Sequence, residues 1–322
     1  MEADSRTGVA VVFPGMGPTQ FADIAKFLLI NPFARQLMAS ADDVLGYSLV
    51  DRWRATEGDY SEFAQVAFLV TCLAMAQWAE ETLGACPQVC TGPSFGGKAA
   101  AVYSGALSFT DAVSLTARLA RCEEDYFSRE HSDVVTHSFT RTPPALLSEI
   151  LGELDLLGEP YEISCYVDDD FYMMSLREER LDWFQRRLCS AGGLPLYTMR
   201  PPMHSAAFGP LRDRVEREIF SGLRFAEPHI PVVADQNGAV LTTGGEVRAM
   251  LLDGFVCPVR WPDVVAALRR LGVGTVYVAG PDSMFGRVGC TTRNFEVIGL
   301  NPRLALKPRR RDVAAVAAAA RP

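Results

Sequence analysis

The sequence is poor in the patterns that build metal centres and disulfide frameworks. Its eight cysteines (Cys72, Cys86, Cys90, Cys122, Cys165, Cys189, Cys257 and Cys290) include no CxxC pair. Cys86 and Cys90 lack a second ligand pair at zinc-finger spacing, so the cysteines read as reduced, mostly buried thiols of a cytoplasmic protein. Long apolar runs are missing too: no uninterrupted stretch approaches the length of about 18 residues that a membrane span needs. The N-terminus, MEADSRTGVAVVFPG, has no basic segment ahead of an apolar one and predicts no signal peptide. Positive charge is in deficit, with 31 Lys and Arg against 39 Asp and Glu and a net charge of −8, which excludes nucleic-acid binding through bulk charge. No repeat recurs at solenoid or propeller period. Histidine is scarce as well: His131, His137, His204 and His229 are the whole supply of imidazole bases.

What remains is ordinary for a globular enzyme: 322 residues, 48% hydrophobic and 22% charged, enough for one large domain with an insertion or for two domains. VAVVF (9–13) is a short apolar run stopped by Pro14 and Gly15, a strand ending in a turn. Residues 21–29 and 63–83 carry apolar residues at helical spacing, and 88–91 predicts a strand running into a Gly-rich turn and the helix KAAAVYSGAL. Strands alternating with helices imply a parallel sheet covered on both faces. From about 130 to 200 the pattern changes to strand (134–140), helix (144–151), strands (161–167 and 172–175), helix (178–191) and strand (194–199). That order suits a small ferredoxin-like βαββαβ unit. Afterwards the α/β pattern returns, with a helix to about 221, strands at 231–235 and 275–280, and a helix from Glu246. The tail from Lys307, KPRRRDVAAVAAAARP, reads as a flexible end.

Gly92-Pro93-Ser94-Phe95-Gly96 matches the G-x-S-x-G nucleophile elbow. Small residues flank such a serine because the strand-to-helix turn is tight. The turn lifts Oγ clear of the sheet, and the amide of Phe95, at the start of the helix behind it, points to the place where an oxyanion would form. A serine nucleophile needs a base. His131 and His137 fall among polar residues at the entry to the small unit, and His229 lies just ahead of a strand. His204, in RPPMHSAAF, sits where two prolines stiffen the approach to a helix that His204 or Ser205 could cap. Position favours His204.

Six blocks in order then resemble one family. FPGMGPTQF (13–21) is similar to its FPGQGSQ turn, AQVAF (64–68) to TQPAL, GPSFGG (92–97) to GHSxGE, and PPMHS (201–205) to SxH. CPVRW (257–261) resembles NPVxW, and VYVAGPDSMFGRV (276–288) resembles the EVGPGxxL stretch. On these blocks the chain is similar, along nearly its whole length, to the malonyl-CoA:acyl-carrier-protein transacylases and polyketide acyltransferases. The resemblance implies an α/β-hydrolase-like large domain (1–129 and 201–306) with an inserted ferredoxin-like small domain (130–200) and a flexible tail (307–322). It implies that Ser94 carries the acyl group and His204 takes its proton, with the backbone amides of Met16 and Phe95 holding the oxyanion. The carbonyl of Gly254 would orient His204, so no third acid is required. No tightly bound cofactor or metal is expected. The acyl group would ride on the phosphopantetheine of acyl carrier proteins, or on CoA, with no nucleic acid or membrane as partner.

Departures from the family bear on the cargo. Pro93 replaces a histidine beside the nucleophile and supplies no donor. The family's carboxylate-binding arginine aligns with Leu119; Arg118 and Arg121 flank it but point about 100° and 200° away on a helix. Without a guanidinium, burying malonate's free carboxylate would be costly. Met203 adds a flexible apolar wall, and Gln65 keeps the family's residue in the acyl pocket. The sequence is most similar to the standalone members of macrolactam polyketide pathways, which move aminoacyl or dipeptidyl groups between carrier proteins. A malonyl transacylase and an editing acyl-carrier-protein hydrolase remain the alternatives. Carrier proteins are acidic, so Arg141, Arg200 and Arg287 are the candidates for docking them.

Overall fold

The computed structural model describes residues 6–56, 60–282 and 284–307. Of the expected flexible tail, residues 308–322 lie outside them. The apolar runs read as strands become the centre of a six-stranded sheet in the order β11 (Glu296–Leu300), β10 (Val273–Ala279), β1 (Gly8–Val12), β2 (Val89–Thr91), β7 (Val232–Val233) and β8 (Val240–Leu241). All neighbours run parallel except β8, which folds back on β7. Ala10, Val11 and Val12 are buried because helices cover both faces, which is why the strand is continuously apolar and does not alternate.

The Glu62–Leu83 helix is buried nearly all round, from Ala64 to Ala79. By length and composition it could cross a membrane, but 83% of its apolar window is packed inside the protein. Ser61 caps its start through the Ala64 amide, and Gly84, at φ 68, ends it in the left-handed region.

The chain between 134 and 199 forms a second sheet, in the order β6 (Leu194–Met199), β3 (Val134–Thr140), β5 (Phe171–Arg177), β4 (Tyr161–Asp168) and β9 (Val259–Arg260). The first four strands are antiparallel, and the Pro144–Leu156 and Glu178–Ser190 helices close a separate core around Phe139, Phe184 and Leu188. The fifth strand comes from elsewhere. β9 belongs to the CPVRW block and pairs in parallel with β4, Cys165 opposite Val259. The Arg260 amide also donates to the Asp235 carbonyl at 2.7 Å, so these two residues stitch the small sheet to the end of β7.

Candidate active site

In a parallel sheet, ligands bind beyond the carboxyl ends of the strands. Four such ends meet here. Gly15, Met16 and Gly17 follow β1; Ser94 and Phe95 follow β2; Asp235 and Gln236 follow β7; and Asp282 follows β10. All of them line one cavity of about 150 Å³, whose opposite wall includes Thr136, Ser164, Met173 and Tyr197 of the small sheet.

The elbow is built by close backbone approach. A Cβ on Gly92 would lie closer than 3.0 Å to the Gly96 carbonyl group, and one on Gly96 would lie as close to the Phe13 carbonyl oxygen. Only glycine lets the turn fold this tightly against β1. Ser94 itself takes φ 56, a conformation that side-chain-bearing residues rarely adopt. Its amide donates to Asp235 Oδ2 at 2.6 Å, which secures the strained residue from below. Asp235 is 4% exposed. Burial pushes its carboxyl up to about 7, against the lowering effect of the Ser94 amide.

His204 reaches the serine from the far side, with Nε2 2.7 Å from Ser94 Oγ. It too is left-handed, at φ 62. Its loop is clasped to the small sheet, where Glu162 of β4 accepts from the Ser205 hydroxyl and from the Ala206 amide. Ser205 caps a short 3₁₀ turn (Ala206–Phe208) ahead of the Gly209–Glu218 helix. On its other side the Ser205 amide donates to Phe255. Burial holds the His204 imidazole down at about 4, opposed by the carbonyls of Gly254 and Cys257. Nδ1 is buried and faces this turn without a well-aligned hydrogen bond.

The remaining histidines stand elsewhere. His131 packs among Tyr126, Phe127 and Phe208, His137 bonds Thr198 inside the small sheet, and the His229 amide is tied to Ser104. Of the residues expected around the acyl group, Gln65, Leu119 and Met203 line the cavity; Pro93 is buried beside the elbow and does not. Met16 and Phe95 both line it, and the turn bearing Met16 lies against the elbow: a Cβ on Gly15 would sit 3.8 Å from Ser94 Cβ.

Leu115, Leu119 and Glu123 recur at four-residue spacing on the Phe109–Glu130 helix and present one face to the cavity. Arg118 and Arg121 point away, to the Glu218 carbonyl and to Glu62. No arginine lines the cavity among the described residues. Six of the chain's ten methionines do: Met16, Met173, Met199, Met203, Met250 and Met284. Sequence reasoning missed Asp235, Lys98 and Glu123. An Asp two residues past a β-strand and a Lys in the first turn behind the elbow are the local signals that could have flagged two of them.

The three docking arginines are not brought together. Arg141 and Arg200 follow the carboxyl ends of β3 and β6, which run antiparallel with Thr140 opposite Leu194 and Thr136 opposite Met199. They stand at opposite ends of the small sheet, roughly 20 Å apart by strand rise. Arg200 pairs with Glu178, and Arg287 lies 3.9 Å from Asp282. Arg141 is exposed, at φ 57. Among the described residues no cluster of three or more His, Cys, Asp or Glu is placed to hold a metal ion.

Comparisons with known proteins agree with this architecture. Residues 138–199 match a family model described as the VinK acyltransferase small domain. Malonyl CoA-acyl carrier protein transacylases from Bacillus subtilis strain 168 and Escherichia coli K12 are each 25% identical to the chain. They cover 91% and 89% of it, and 93% of their own length. A solved malonyl-transacylase in complex with a type II PKS acyl-carrier protein superposes with a TM-score of 0.82 at 22% identity, over 93% of this chain and 98% of that one. The transacylase of Coxiella burnetii gives 0.80 at 23% identity, over 95% and 98%. Over nine-tenths of its length the chain is thus similar in sequence to malonyl-CoA:acyl carrier protein transacylases, which are acyltransferases, and it shares the fold of their solved structures.

Proposed function

We propose that the protein is an acyltransferase of macrolactam-type polyketide biosynthesis that moves a non-malonyl acyl group, aminoacyl or dipeptidyl, between acyl carrier proteins. The observation that carries this reading is a serine–histidine pair at 2.7 Å opening onto a cavity that, among the described residues, no arginine lines. In this mechanism Ser94 Oγ attacks the thioester carbonyl of the donor as His204 Nε2 takes its proton. The amides of Met16 and Phe95 hold the oxyanion. The donor thiolate leaves, taking the proton from His204, and the acyl group stays on Ser94 as an ester. The acceptor's phosphopantetheine thiol then repeats the attack in reverse, so the kinetics are ping-pong. An imidazole whose burial keeps it neutral is ready to accept the proton at neutral pH.

The same reading takes the large parallel sheet and its helices as an α/β-hydrolase-like catalytic domain (1–129 and 201–306) and residues 130–200 as a ferredoxin-like small domain. Carrier proteins would approach along the cleft between them, with Arg141, Arg200 and Arg287 at its rim. The match of 138–199 to a model described as the VinK acyltransferase small domain supports reading this segment as the small domain of an acyltransferase.

The test is to incubate the protein with a panel of acyl thioesters, weigh the intact acyl-enzyme, and add holo carrier protein. Aminoacyl or peptidyl thioesters are expected to load Ser94 and pass to the carrier, and Ser94→Ala to abolish the mass shift. Charge reversal at Arg141, Arg200 or Arg287 should slow only the carrier-dependent step. Rapid malonylation would return the protein to the malonyl transacylases, and release to water with carrier present would make it an editing hydrolase.

A further inference from the structure

The acyl cavity ends in two opposite charges that the mechanism does not use. Lys98, in the first turn of the Gly96–Tyr103 helix, is 9% exposed, and Glu123 is 7% exposed; both line the cavity. Among the described residues Lys98 is the only lysine or arginine lining the cavity, and its ammonium sits 3.9 Å from the centroid of the Phe95 ring. That ring belongs to the residue beside Ser94, so the polar end of the cavity is tied to the elbow. Glu123 lies one turn beyond Leu119, with Gln65 close enough to oppose the raising of its carboxyl; the Gln65 amide donates to the Tyr60 carbonyl at 3.1 Å. Three helices thus converge to put one donor, one acceptor and one amide into a methionine-rich pocket.

A buried pair of this kind is a poor way to gain stability, since well-packed apolar residues of similar size do as well or better. Lining a cavity, it can instead select what enters. An acyl chain ending in a carboxylate would meet Lys98 but also Glu123. A plain alkyl chain would desolvate both charges and return nothing. An amide carries a donor and an acceptor on one small planar group and offers something to each.

We infer that Lys98 and Glu123, steadied by Gln65, are specificity-determining residues that recognise an amide-bearing, peptidyl-type acyl chain, the amide N–H donating to the Glu123 carboxylate and its C=O accepting from the Lys98 ammonium. This rests on the acyltransfer reading above and names the feature of the cargo that the pocket reads. Burial lowers Lys98 to about 8 while Glu123 opposes it, so the ammonium is largely retained at neutral pH; burial raises the Glu123 carboxyl, and Lys98 and Gln65 oppose that.

The experiment compares acylation rates of the full-length protein, by intact mass, with three thioesters of matched length: N-acetyl-β-alanyl, hexanoyl and malonyl. The wild type is expected to load the amide about 10- to 100-fold faster than hexanoyl, the discrimination a site with pairable polar groups achieves. Lys98→Met/Glu123→Leu, which removes both charges together, should erase or invert that preference while Ser94 still acylates. Glu123→Gln, which keeps shape and hydrogen bonding, should keep part of it. Thermal unfolding of each variant confirms that it folds. Unchanged selectivity in the double variant overturns the assignment, as does malonyl loading fastest and losing its advantage in Lys98→Met. If no thioester loads Ser94 in the wild type, the acyltransfer reading itself fails.

Discussion

The two halves of the site are made from different materials. Around Ser94 the structure is backbone against backbone: Gly92 and Gly96 admit approaches that no side chain would allow, and two residues sit at positive φ. Around the acyl cavity it is side chain against side chain, with six methionines, Leu115, Leu119, Gln65 and a charged pair. The first half dictates where a nucleophile stands and tolerates almost nothing. The second can be re-lined one residue at a time without disturbing the first. An enzyme built this way keeps its chemistry while its cargo drifts.

The sharpest way to break this contrast is Gly96→Ala. Its Cβ would press on the Phe13 carbonyl, so the variant is expected to lose at least about 3 kcal/mol in urea unfolding or to accumulate insoluble. Met203→Leu in the cavity lining should cost less than about 1.5 kcal/mol. Comparable losses at both sites would erase the distinction. Next in size is His204→Ala, expected to slow acylation of Ser94 by about 10²- to 10⁴-fold with unfolding little changed. Because the imidazole must be neutral to accept a proton and its pKa is held near 4, wild-type acylation should stay level from pH 8 down to about 5 and fall only towards 4. An acid limb at the ordinary imidazole value of about 6.5 would show that the buried setting does not operate.

A pH-dependent test is Asp235→Asn, which keeps an acceptor for the Ser94 amide but cannot ionise. In the folded protein Asp235 has its pKa raised to about 7, so the folded state holds a proton that the unfolded chain releases near 4. Wild-type stability should therefore decline relative to the Asn variant as pH rises from 4 to 7.5. Parallel denaturation midpoints across that range would contradict the assignment.

Local signals carried most of the scaffold. Pro14 ends β1, Ser61 opens the long core helix, and the run 88–91 leads into the elbow as read. β9 escaped notice because a two-residue strand has no periodicity; it exists only because β4 lies beside it. Lys98 and Glu123 escaped for a related reason. They are 25 positions apart on separate helices, and each alone reads as a solvent-facing charge. The absence of an arginine at 119 was visible in the chain, whereas what stands in the cavity instead required the packing of three helices. Pro93 shows the converse error: adjacency to the nucleophile in sequence did not put it on the cavity surface.

The short strand at Val259–Arg260 also bears on engineering. Residues 134–199 look like a cassette that could be exchanged between relatives to redirect carrier choice. Their sheet, however, is completed by a partner from 60 residues further on, and Glu162 of the same sheet holds the His204 loop. A graft that carries only the cassette leaves both seams mismatched, one at Cys165–Val259 and one at Glu162–Ser205. Successful chimaeras should transplant 257–261 together with 134–205 as a single inheritance unit.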